Sequence, residues 1–451
     1  MSAEVYEFPH RTPPITPLAQ FVRLGESSYR RHASLFAEGH LDAKRIVVDA
    51  SVIRFLKSEL RHFRDAGVEI VLDTKAAELA ARAKFGGLVK NAPWSASSPE
   101  EPLGAAFFRA GHPSDIFGQI ARLAVEHEVN AVLAPGHFLG DPEFGEWLEV
   151  DRYACIQLRH ALDREGGRAI AIDYLLIVPH LKLNEPDFRL KIVETLADLP
   201  FDNLWVRASG FGNDAGAQPI VQFITSISQL HNLGKPIIAD YLGGLVGEAV
   251  MALGAASGVA HGIGESERFD ARQLHNPPKE RDPERSGGRG RRVSVGAINR
   301  SFLMKEFETL LTARGAKRLL MPQLAGAGLK TAADVVHEPK IVASRQAVAY
   351  FGELNSLPNI HRATHFMSRR MEPAVELARQ VKNLEPNPEV AKAKNVNLEK
   401  LMERMSNHSR SLAQKSNALA VLKDQLQDQG ISVRPIQRLS RSEENARGGR
   451  L

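Results

Sequence analysis

A single cysteine, Cys155, stands among 451 residues. Its isolation excludes an intramolecular disulfide framework and any zinc site built from several thiolates, and it makes a reducing cytoplasm the expected compartment. Long apolar runs are missing as well. None approaches the ~20 residues that a membrane span needs, and Met1 to Pro14 carries acids, His10 and prolines in place of an apolar signal core. Secretion and membrane insertion are therefore not expected. A large charge of one sign is also absent. The net charge of +5 with a pI near 9.2 is modest for this length, which permits a nucleic-acid or phosphorylated partner without requiring one.

The hydrophobic content of 43% suffices for a large core, and one barrel with additions fits the length better than three small domains. Four short apolar runs end on an aspartate: Arg45 to Asp49, Glu69 to Asp73, Ala169 to Asp173 and Pro236 to Asp240. Four more have the same shape: Asn130 to Pro135, Asn203 to Arg207, Ser257 to His261 and Lys317 to Pro322. Each reads as a buried parallel strand. Between them lie helical patterns such as 51–66, where Val52, Ile53, Leu56, Leu60 and Phe63 share one face. The alternation predicts a (β/α)8 TIM barrel over 45–383, with residues 1–44 as an N-terminal extension and a catalytic face at the C-terminal strand ends.

Two insertions interrupt the rhythm, at about 85–112 and 271–295. The first is rich in Gly, Ser and Pro and follows the strand ending at Asp73, so it leaves from the catalytic face as a lid or a solvated loop. The second carries six basic and three acidic residues over Lys279 to Arg292, a cationic loop whose contact with nucleic acid is left open. After a linker, residues 384–451 hold Leu398, Met405, Leu412, Leu419 and Leu426 at seven-residue spacing. That predicts one helix over about 397–429 with a coiled-coil seam, docked on its own barrel or pairing subunits of a homo-oligomer. The tail from Ser440 is expected to be disordered.

Aspartates at strand ends can cap the next helix, but several converging on one barrel mouth repel unless a cation intervenes. Arg207 and Lys75 supply such cations. The expected acid–base set is Asp73, Asp173, Asp240 and His261, the last titrating near neutral pH. An anionic ligand, phosphate-bearing or a nucleotide, is expected at Arg207, a bidentate fork, with Ser209, Gly210, Gly243, Gly244, Gly262, Gly264, Glu265, Arg268 and Gln323 around it and the turn Gly326 to Gly328 beside it. Glycines there let backbone N–H groups approach the anion. No cofactor is assigned; a divalent metal would fall to Asp49, Asp73 and His137. Neither a Walker loop nor a nucleophile elbow occurs in the barrel. A transferase or a lyase or isomerase fits this set, and a non-enzymatic scaffold that binds partners is the competing class.

The run Asp240-Tyr-Leu-Gly243-Gly244-Leu245, followed by Gly262-Ile-Gly264, resembles the paired turns of tRNA-guanine transglycosylases over 236–270. That resemblance implies a (β/α)8 enzyme exchanging a base in nucleic acid, with the Gly-Gly-Leu backbone against a purine, one aspartate reading the base and another attacking the ribose. The zinc-binding cysteine cluster of that family is absent, and Pro322-Gln323 stands where its nucleophile would be. Asp73 or Asp173 would then have to supply the nucleophile.

Overall fold

The computed structural model describes residues 15–26, 28–81, 91–97, 102–109, 111–140, 144–264, 267–271, 291–321, 335, 338–427 and 433–436. Its centre is a closed barrel of eight parallel strands: β1 (Ala19–Arg23), β2 (Arg45–Asp49), β3 (Glu69–Asp73), β4 (Ala131–Leu133), β5 (Ala171–Pro179), β6 (Asn203–Ser209), then, past the short β7 (Phe211–Gly212), β8 (Ile237–Asp240) and β9 (Gly258–His261). β1 pairs with both β2 and β9, and β5 with β6, which closes the ring. A short β10 (Arg268–Phe269) adds to the end of β6 and to β7.

Alternation along each strand sorts the two faces. Phe21, Val47, Val71, Leu133, Leu175, Ile177, Trp205, Ile238 and Ala260 fill the barrel interior, as a packed core and not a pore. Trp205 meets Phe21 edge-on, ring centroids 4.8 Å apart. The intervening residues, Ile46, Val48, Ile70 and Leu72 among them, belong to the outer core beneath the helices. Those helices are α1 (Tyr29–Ala37), α2 (Lys57–Asp65), α3 (Ala76–Leu79), α4 (Ile116–Glu126), α5 (Phe144–Arg164), α6 (Pro186–Leu196), α7 (Ala217–Ser228) and α8 (Gly244–Ala252).

Three expectations need correction. The barrel begins inside the segment assigned to an N-terminal extension: Ala19-Gln-Phe-Val-Arg23 is its first strand. The Lys317 to Pro322 run is not the eighth strand, because Ala316–Leu320 is helical, entered from Gly315 at φ +81°. The third correction concerns Asp173, which does not end its strand; β5 continues through Tyr174-Leu-Leu-Ile-Val-Pro179.

After β9 the chain adds a hairpin of β11 (Arg292–Val295), at the end of the span assigned to the second insertion, and β12 (Arg300–Leu303), beyond that span. Then come α9 (Met304–Leu310), α10 (Ala316–Leu320), α11 (Pro339–Asn355), α12 (Asn359–His365), a π-helical turn at Phe366–Met371, α13 (Glu372–Val381), α14 (Pro388–Ala393) and α15 (Leu398–Gln427). Of the seven-residue stripe, Met405, Leu412 and Leu419 are buried, joined by Leu401 and Leu422, while Leu398 and Leu426 are half-buried; this face of α15 lies against α13 and α7. Burial of that row stabilises the packing by roughly 1.5–3 kcal/mol per side chain. Among the described residues no helix is long and apolar enough to cross a membrane.

Candidate active site at the C-terminal rim

At the top of the barrel interior, charges from five strands and their loops close on one another. Arg23 donates from Nε to Oδ1 of Asp240 at 2.6 Å and from Nη1 to Asp73 at 2.9 Å. Arg207 donates from Nε to Asp240 and from Nη2 to Asp73, both at 2.8 Å. Lys75, with φ +57°, contacts Glu78 at 2.6 Å and Asp49 at 3.8 Å. The Tyr241 ring lies under both guanidinium groups, 4.5 Å from that of Arg23 and 5.0 Å from that of Arg207. Burial raises the Asp73 carboxyl, but Arg207, Arg23 and Lys75 outweigh it and hold it well below the usual carboxylate range. Asp49 goes the other way: burial, with Asp73 adding, pushes it up to about 6 against the pull of Lys75 and Arg23. Every guanidinium and carboxylate of this network is buried, and charges removed from water need such pairing.

Beside this network a cavity of about 560 Å³ opens at the loops after β6, β8 and β9 and runs along the outer side of β9 toward the hairpin and α11. Gly243 and Gly244 form its floor at the start of α8. Gly244 has φ +55°, and a Cβ there would stand 2.3 Å from Oδ1 of Asn299, so only glycine fits. Asn299 in turn accepts from the Leu245 N–H at 3.2 Å and joins Asn213 at 2.8 Å. Ile263 and Asn299 line or bound the cavity at φ +50° and +51°. A β-branched residue there is strained, and such strain collects at ligand sites.

His261 lines this cavity with a defined proton. Its Nδ1 accepts from the Ile263 N–H at 3.1 Å, which leaves Nε2, 3.2 Å from the Gln20 amide nitrogen, to carry the hydrogen of the neutral ring. Burial lowers the His261 pKa, keeping the ring neutral. Glu267 stands 3.9 Å from Nδ1, accepting from the Gly264 N–H at 2.9 Å and from Asn213 at 2.8 Å. On the opposite wall Arg300 is half-buried and has no ion-pair partner among the described residues, while burial and then Arg404 pull its pKa down. Arg292 stands at the exposed edge, its Nη2 on Ser301 O at 3.0 Å. The other two arginines are occupied: Arg268 by Asp214 at 2.7 Å, and Arg370 by Glu248 at 2.7 Å.

The expected residues thus divide. His261, Gly243, Gly244, Gly264 and Arg268 line the cavity. Asp73, Asp240 and Arg207 sit in the closed network, where both carboxylates occupy the fork that was to hold the anion. Asp173 lies lower in the barrel, accepting from Asn203 at 2.8 Å and from the Trp205 indole at 2.7 Å. Ser209 accepts from the Ala271 N–H at 2.9 Å and Gly210 turns at φ +81° beneath β10. The Gly262 carbonyl faces His32 Nε2 at 3.3 Å. Glu265, Gln323, the turn Gly326 to Gly328, the tail from Ser440 and most of the cationic loop lie outside the described residues.

The metal candidates do not converge. Asp49 and Asp73 belong to the network, whereas His137 binds Asp151 through Nδ1 at 2.5 Å and stacks on Trp147. No group of three His, Cys, Asp or Glu among the described residues is placed to hold a metal ion. The described part of the first insertion packs tightly: Trp94 donates to Thr74 O at 3.1 Å and Phe108 meets His137 edge-on. Sequence reasoning missed Gln20, which lies in the segment read as an extension, and Glu267, Asn299 and Arg300, which flank the second insertion. Their one legible signal was Glu267 and Arg268 following the Gly262 to Gly264 turn. No protein-family model and no curated protein matches the chain.

Proposed function

We propose that the chain is a TIM-barrel enzyme that takes an anionic small molecule into the 560 Å³ cavity at the C-terminal rim and acts on it by acid–base chemistry. The observation that carries this reading is Arg300, which lines a cavity that also holds Glu267 and His261 and forms no ion pair among the described residues, the carboxylate that acts on it, Glu306, being held by Arg404 at 2.6 Å. A desolvated cation without a carboxylate gains most from an incoming anion. Arg292 and the mutually bonded Ser294 and Ser301 hydroxyls, 2.7 Å apart, also line the cavity from the other face of the hairpin and offer further donors to phosphate oxygens. The anion at that wall directs the uncharged end toward Glu267, since Coulomb repulsion disfavours the reverse orientation. Glu267 is the proton-transferring group in this reading. His261, neutral, holds the Ile263 turn through Nδ1 and packs beside Gln20.

Calorimetry and thermal shift with inorganic phosphate and pyrophosphate test the site. Wild type should bind, and Arg300→Ala should weaken binding roughly ten- to a hundredfold, the scale of a lost charge-assisted hydrogen bond. A neutral Arg300→Ala overturns the placement of the anion. Base exchange on a nucleic acid, the alternative, is favoured by Gly243 and Gly244 lining the cavity. It requires Asp73 or Asp173 as nucleophile, and neither lines it. RNA co-purifying with the chain, and lost on Gly243→Val, would favour that alternative.

A further inference from the structure

The cavity has a second half that phosphate recognition does not use. Ala343, Ala347, Tyr350 and Phe351 on α11 face it together with Met251 from α8 and Val259 from β9. These residues come from three elements and form a carbon patch on one wall of the space, beside Gln346 and Arg370 and next to the hairpin that carries Arg300 and the two hydroxyls. The volume of about 560 Å³ falls within the ~300–1,000 Å³ typical of sites that enclose a drug-sized ligand. A bare phosphate or a three-carbon polyol phosphate would leave the carbon-lined half filled by water against apolar surface. An apolar body attached to the phosphate removes that water, which is favourable in proportion to the area covered.

Tyr350 is stiffened for this role. The Arg370 guanidinium, itself held by Glu248, lies 3.2 Å from its ring centroid, so the ring keeps one orientation. Arg370 belongs to the π-helical turn at Phe366–Met371, a local distortion of the kind that recurs at functional sites. The wall is thereby rigid on one side, with small Ala343 and Ala347 leaving room on the same helix face.

Resting on the anionic-ligand reading above, we infer that the substrate class is a phosphomonoester carrying a flat aromatic body, of the aryl or nucleoside monophosphate kind, with its ring on the Ala343, Ala347 and Tyr350 wall and its phosphate at Arg300. Four probes read this by calorimetry on the full chain: inorganic phosphate, glycerol phosphate, phenyl phosphate and adenosine monophosphate. The aromatic esters should bind about tenfold or more tighter than glycerol phosphate, as burial of an aromatic face predicts. Ala347→Phe, which fills the apolar half, should erase that advantage and leave inorganic phosphate binding within twofold of wild type. Ala343→Leu, a smaller intrusion, serves where Ala347→Phe does not fold. Equal binding of phenyl and glycerol phosphate, or an advantage that survives both substitutions, overturns the aromatic subsite while the anion site stands. If none of the four probes binds wild type, the anion site itself is wrong, and the subsite falls with it.

Discussion

Arg207 donates from Nε to Oδ2 of Asp240 at 2.8 Å, with neither side chain exposed to solvent. The fork meant for a ligand's anion and the carboxylate meant for its chemistry are therefore each other's partners. Removing one of them strands the other in a low-dielectric interior, which typically costs about 3–5 kcal/mol. Arg207→Met should lower unfolding free energy by that order in urea titration, toward the lower end because Arg23 still holds Asp73 and Asp240. Phosphate affinity should stay within twofold. A variant of wild-type stability that no longer binds phosphate would reverse this assignment.

Asp49 makes stability depend on pH in a particular direction. Its carboxyl ionises at an ordinary 3.8 when unfolded and at about 6 when folded, so the folded state holds the proton longer. The stabilisation is complete below pH 4 and is lost as pH rises to 6. Asp49→Asn lacks this loss. Relative to wild type it should therefore gain up to about 3 kcal/mol between pH 4 and pH 7, at 1.36 kcal/mol per unit. Parallel urea titrations at the two pH values check this; a difference independent of pH would mean that Asp49 is ionised throughout.

His408 behaves oppositely. Burial, with Arg300 and Lys415 adding repulsion, lowers its pKa from 6.5 to about 4, against the bond from Nε2 to Ile298 O. The neutral ring stabilises the fold fully above pH 6.5, and that contribution is lost as pH falls toward 4. His408→Gln, which can still donate to the carbonyl, should flatten the acid limb of stability by about 3 kcal/mol. Thermal melts at half-unit steps between pH 4 and 7 would show whether the limb survives the substitution.

Leu412 is fully buried where α15 crosses the barrel's helices. Leu412→Ala should cost about 2–5 kcal/mol, the range for deleting a buried leucine, and should leave the light-scattering mass unchanged. A shift in mass at unchanged stability would instead assign the stripe to an interface between chains.

How much the sequence disclosed follows from what each signal depends on. The runs ending at Asp49, Asp73 and Asp240 were legible because a buried parallel strand is written locally, as consecutive apolar residues followed by a turn. Ala19-Gln-Phe-Val-Arg23 was not, since its identity rests on pairing with Gly258 to His261, far along the chain. Lys317 to Met321 carries an apolar run too short to separate strand from helix. The stripe Met405, Leu412, Leu419 predicted a helix correctly, yet its partner surface is a property of α7 and α13.

The same distinction governs the candidate site. Sequence by itself determined the barrel's periodicity and put His261, Gly243, Gly244 and Arg268 at its C-terminal rim. Tertiary structure alone decided which charges cancel: Arg23 reaches Asp240 across 217 positions and Arg207 reaches Asp73 across 134. Periodicity is carried by neighbours along the backbone, whereas neutralisation is carried by Coulomb energy at about 3 Å in a medium that water has left. The sequence places Arg300 in no such network, and only the fold shows that it lines the cavity without an ion pair among the described residues.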